Sequence, residues 1–132
     1  MCTPLCAKDA TAMPSGRPFS MLDHERLDAY QCALRFAAQS LQILNGVPRG
    51  HAELTDQLRR ATLSIPLNIA EGAGKPTHKD RARFHAIARG SAMECGAILD
   101  LLRLQALADE ERVAEAKVLL VRLVAMLTRM CR

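Results

Sequence analysis

The sequence predicts an all-α protein, an antiparallel up-down-up-down four-helix bundle over residues 22–132 behind a disordered N-terminal arm at 1–21. Three observations carry that prediction. The chain is 49% hydrophobic but has only one tyrosine and three phenylalanines, so its core must be built from Leu, Ile, Val, Ala and Met. Apolar residues recur at steps of three and four in four successive segments. Short clusters of Gly, Pro, Asn and Asp separate those segments, which places consecutive helices side by side and antiparallel.

The opening stretch, MCTPLCAKDATAMPSGRPFS, carries three prolines and no periodic apolar pattern, and therefore reads as the arm. From Asp23 onward Leu27, Tyr30, Leu34, Ala37, Leu41 and Leu44 mark the inward face of a first helix, which Asn45, Gly46 and Pro48 stop. A second helix starts near Gly50 to Glu53, turns Leu54, Leu58, Ala61, Ile65 and Ile69 inward, and ends in the Gly72–Pro76 turn.

Thr77 is a natural N-cap for a third helix, with Asp80 at its third position facing the unpaired N–H groups. That helix presents Phe84, Ala88, Ser91, Cys95, Ile98 and Leu102 to the core and runs to about Leu107. Asp109 caps a fourth, with Glu110 and Glu111 in its first turn and Arg129 and Arg132 at its end, the order the helix dipole favours. Val113, Leu120, Val124 and Leu127 form one apolar row on it, and Leu119, Leu123, Met126 and Met130 a second. Only a narrow charged stripe of Glu111, Glu115, Arg122 and Arg129 is left. One stripe of roughly 100° suffices to cover one side of a monomer, so the second row points to burial against another subunit, the alternative being a helix sunk deeply into its own bundle.

The stretch SIPLNIAEGAG at 64–74 holds Pro66 inside an otherwise helical pattern. Its ring leaves the Thr62 carbonyl without its usual donor, and a bend is expected. Gly72 and Gly74 are expected to end the helix in left-handed conformations. A turn centred near Gly74 would pair Ile65 with Phe84, Ala61 with Ala88 and Leu58 with Ser91. It would also bring Asn68 and Glu71 near Arg81 and His78, with Glu71 paired to Arg81 or Lys75.

The strings RRATLSIPLNIAEGAGK and FHAIARGSAMECGAILDLL resemble the four-helix-bundle family of 23S rRNA intervening-sequence proteins, and with them the accessory variability proteins of diversity-generating retroelements. The resemblance covers about residues 22–130. It implies an up-down bundle that assembles into a ring, often a pentamer, without catalysis; for the retroelement relatives it implies binding of a reverse transcriptase and nucleic acid through a basic surface. The motif positions are Ser64, Ile65, Pro66, Asn68, Glu71 and Gly72 in the first string and Gly90, Ser91 and Glu94 in the second. All read as packing and capping positions.

Net charge is +4, and the excess sits in the middle third. Residues 49–89 hold eight basic groups against four acidic ones, whereas the flanking segments balance. Arg59, Arg60, Lys75, Lys79, Arg81, Arg83 and Arg89 are the candidate contacts to RNA or DNA, because a guanidinium fork donates two hydrogen bonds to phosphate at once. Phe84, the one aromatic among them, is counted to the core, so none is available for base stacking. A protein-interaction scaffold with no nucleic-acid role is the alternative.

Catalytic templates fail on spacing. There is no Glu-x-x-His pair, no His-Glu-x-x-His, no P-loop and no Gly-x-Ser-x-Gly. His78 and His85 lack carboxylates at matching positions and read as solvated, and Cys95 reads as a small buried hydrophobe rather than a nucleophile. No enzyme activity, metal or cofactor is expected. Five scattered cysteines and no apolar leader or membrane-length run imply reduced thiols in the cytoplasm.

Overall fold

The computed structural model describes residues 21–132, so the expected arm falls outside the described residues except for Met21. A 3-10 turn at Asp23–Arg26 leads into four helices: α1 Asp28–Gly46, α2 Ala52–Ala73, α3 His78–Leu104 and α4 Glu110–Met130. They form the antiparallel four-helix bundle, with no strand among the described residues. Each helix packs beside its neighbours in sequence, α4 returns to α1, and α2 with α3 make the largest interface. No described helix is long and apolar enough to cross a membrane.

Helix boundaries follow local chemistry. Thr77 caps α3 by accepting from the Asp80 backbone N–H at 3.2 Å, and Asp109 caps α4 by accepting from that of Arg112 at 3.1 Å. The α3–α4 connection ends the third helix at Leu104, three residues before the expected Leu107. It turns on Ala106 at φ 58°, while the Leu107 N–H reaches back to the Leu102 carbonyl at 2.8 Å. That is the left-handed helix-end position usually held by glycine, so an alanine there carries no turn signal.

The core is aliphatic, with Phe36, Leu58, Ile65, Ile69, Leu99 and Leu123 fully enclosed. The inward face of α1 differs from expectation. Ala29, Cys32, Ala33, Phe36, Ser40 and Ile43 line the core, while Leu34 and Leu41 stand 39% and 38% exposed. Small residues face inward because they let α1 approach α2 closely enough for the Ser40 and Thr62 hydroxyls to bond at 2.8 Å in the interior. On α4 the second apolar row, Leu119, Leu123, Met126 and Met130, packs wholly or partly against the bundle's own core rather than standing free for another subunit. The exposed apolar row is a different one, Ala114, Val118, Val121 and Ala125, because α4 turns its Leu-rich faces toward α1 and α3.

Helix α2 continues through Pro66, which is buried. Gly72 lies inside the helix, and Gly74 has φ −87°, so neither adopts the left-handed conformation expected of them. The α2–α3 register also differs: Ser64 meets Ser91, Thr62 meets Cys95 and Gly72 meets His85, six to eight residues further along α3 than a centre at Gly74 implies. Hydroxyl pairing and the close glycine–histidine approach fix this register, and turn length alone does not.

Candidate functional site

The two sequence signatures meet across the α2–α3 seam. The Ser64 and Ser91 hydroxyls bond at 2.8 Å, and the Asn68 amide donates to the Ser64 carbonyl at 2.8 Å and to its hydroxyl at 3.0 Å. Asn68 thus reinforces its own helix one turn back, beside the Pro66 ring, instead of joining the turn cluster expected for it. Glu71 forms an exposed ion pair with Lys75 at 3.4 Å, while Arg81 donates to the Lys75 and Pro76 carbonyls at 2.9 and 3.2 Å and so holds the turn. Gly90 and Glu94 are exposed on the outer surface of α3.

Gly72 and His85 explain each other. A Cβ at position 72 would sit 2.8 Å from His85 Nε2, so only glycine lets the imidazole enter. His85 is 5% exposed, which corrects the expectation of a solvated ring, and neither ring nitrogen has a hydrogen-bond partner. Burial pushes its pKa down; the nearby Met130 backbone opposes that shift and Arg81 adds to it. The ring is neutral packing material wedged between α2, α3 and the end of α4. His78 is exposed and contacts the Arg132 carbonyl.

Cys95 is fully enclosed and its thiol is pushed up to about 11, chiefly by desolvation, with a weak Thr62 hydrogen bond opposing and Glu94 adding. A thiolate is therefore inaccessible at neutral pH. No group of three metal-ligating side chains gathers among the described residues.

The basic residues divide into two groups. Lys75, Lys79, Arg81 and Arg83 cluster at the α2–α3 turn, whereas Arg59 and Arg60 lie about 20 Å away along α2, from a 1.5 Å rise per residue. Arg83 stacks over the Phe84 ring at 4.7 Å and Lys75 over the same ring at 5.1 Å. Arg59 pairs with Asp56 at 3.6 Å. Arg89 is half-buried about three turns along α3 from the turn, and its Nε donates to the Thr128 hydroxyl at 2.7 Å, which ties α3 to α4. Arg60, Lys79 and Arg83 are exposed and make no ion pair among the described residues.

Sequence reasoning missed two further cations at the turn. The His78–Arg132 contact places the end of α4 beside the start of α3, so exposed Arg129 and Arg132 join Lys75, Lys79, Arg81 and Arg83 at one end of the bundle. The up-down order contains that signal, although the spacing by itself marks the two arginines only as dipole partners.

None of the curated proteins matches this chain. Among solved structures it is similar to a Bacteroides thetaiotaomicron protein of unknown function from the S23 ribosomal protein family. The match has a TM-score of 0.72 at 20% identity and covers 79% of this chain and 98% of that one. At that identity the likeness establishes the shared fold. The model of the 23S rRNA-intervening sequence protein family matches residues 25–129, which span both signatures, the seam they form and all four helices to within a residue of the last. The chain belongs to the 23S rRNA-intervening sequence protein family.

Proposed function

We propose that the protein is a non-enzymatic, homo-oligomeric adaptor of the cytoplasm that contacts RNA or DNA through the basic end of its bundle. The observation supporting this is the convergence of Lys75, Lys79, Arg81, Arg83, Arg129 and Arg132 from three segments distant in sequence. Of these, only Lys75 has an ion-pair partner among the described residues. Buried, unreactive Cys95 and partnerless, neutral His85 offer no acid, base or nucleophile set, which favours binding over chemistry. A reverse transcriptase is the protein partner to which such an adaptor would hand its nucleic acid, as the family resemblance implies.

Fluorescence anisotropy with a short single-stranded RNA tests the reading. Neutralising about four phosphates gives a log–log salt slope near −3 for a single strand, which is about 50-fold weaker binding at 200 mM than at 50 mM salt. Absence of binding at ~50 mM salt, or affinity indifferent to salt, rejects the nucleic-acid role. It would leave the second reading, a protein-interaction scaffold. One observation favours that alternative: Tyr30 and Phe84, the aromatics nearest the surface among the described residues, are half-buried and already engaged with His24 and with Lys75 and Arg83.

A further inference from the structure

Gly90 sits in the middle of the 27-residue helix α3, exposed, with nothing within 4 Å of the place a Cβ would occupy. A mid-helix glycine is destabilising relative to alanine, and nothing inside the subunit requires it. Around it α3 is unusually bare of charge. Between Arg83 and Arg103 its exposed residues are Ala86, Ile87, Gly90, Met93, Glu94, Ala97 and Leu101, with Glu94 the one charged member. Gly90, Ala97 and Leu104 stand seven apart, as do Ile87, Glu94 and Leu101, which is the repeat of a helix-docking seam pointed outward. The exposed α4 row, with Val118 and Val121 at 61% and 70%, extends this face.

The polar groups between the two helices are already satisfied internally. Arg89 is held by Thr128, and Lys117 and Arg103 both engage Asp100. The α3–α4 face can therefore be covered without stranding a charge other than Glu94.

A second apolar patch lies on the opposite side of the bundle. Counted along antiparallel helices from the Ser40–Thr62 bond, Leu34 comes level with Leu67 and Leu41 lies near Leu63. All four leucines are exposed, Leu67 to 66%. Arg60 lies beside Leu63 and Leu67 on α2, exposed and without an ion pair among the described residues, which complements the lone Glu94 of the first face.

We infer that the α3–α4 face of one copy, centred on Gly90, packs against the α1–α2 leucine patch of a second copy, with Glu94 meeting Arg60. Two different patches make this a heterologous, head-to-tail contact, the kind that closes rings. The inference rests on the homo-oligomer of the proposed function and specifies its interface. Gly90 is then explained as the point of closest helix approach, and Leu34 and Leu41 as interface rather than misplaced core.

Light scattering on the full chain, with two acidic variants, tests the pairing. Leu67→Glu blocks one patch and Met93→Glu the other; both sites are exposed, so the subunit fold is retained, which circular dichroism verifies. Each variant alone is expected to run at the 14.5 kDa subunit mass. An equimolar mixture should form a dimer and nothing larger, since each partner supplies the face the other lacks. Gly90→Ala should weaken wild-type assembly about tenfold while making the subunit itself harder to unfold. A mixture that stays monomeric, or single variants that assemble like wild type, overturns this interface while leaving the oligomer intact. A wild-type chain that is itself monomeric overturns the oligomer. One that assembles only after removal of residues 1–20 shows that the arm, and not a second copy, covers the face.

Discussion

Replacing Gly72 by alanine sets two known effects against each other. Alanine in place of glycine within a helix is favourable by about 1 kcal/mol. Against this, the new Cβ would lie 2.8 Å from His85 Nε2, 3.0 Å from its Cδ2 and 3.2 Å from the Arg81 carbonyl. The ring has little room to retreat at 5% exposure, and the carbonyl belongs to the backbone of α3. Overpacking of this kind costs about 1–3 kcal/mol, so the net change is destabilising by roughly 1 kcal/mol, which lowers Tm by about 4 °C in a domain of this size. Gly90→Ala is the control, the same chemical change with no atom within 4 Å, and should raise Tm by a similar amount. Both are best measured by thermal and urea unfolding, followed by far-ultraviolet circular dichroism, in the association-blocked Leu67→Glu background. If Gly72→Ala proved as stabilising as Gly90→Ala, the account of Gly72 as space for His85 would be wrong.

Three further outcomes follow from the interior. Thr62→Val strands the buried Ser40 hydroxyl and should cost about 1–3 kcal/mol in urea unfolding, whereas adding Ser40→Ala should recover much of that loss; an equally unstable double variant would deny the pair its role. His85 has a lowered folded pKa, so the unfolded chain binds its proton first. Stability should be level above the unfolded value near 6.5 and fall as pH drops from there through the folded pKa, and His85→Leu should flatten that dependence in Tm measurements between about pH 7.5 and 5. Cys95, buried and with its pKa near 11, should resist iodoacetamide in the native protein while half-exposed Cys131 labels, as mass mapping would show; equal labelling would contradict the closed core.

The four helices were legible because apolar spacing, the Thr77 and Asp109 caps and the Pro/Gly turns agree with one another. What escaped was set by pairing across helices. Hydropathy ranks Leu34 and Leu41 above Ala33 and Ser40, yet close packing against α2 selects the small residues. A glycine before a turn suggests a left-handed cap, yet Gly72 serves a histidine thirteen residues ahead. The candidate basic cluster was half legible: the middle-third charge excess was visible, but Arg89 is tied to Thr128 away from the turn, Arg59 and Arg60 stand apart, and Arg129 and Arg132 join only through the fold.

The proposed role requires the bundle to act through its surfaces as an assembly of copies. Light scattering of the full-length protein at micromolar concentration measures that directly. The expected result is a single species whose mass is a whole-number multiple, above one, of the 14.5 kDa subunit. A concentration-independent mass of one subunit would contradict it.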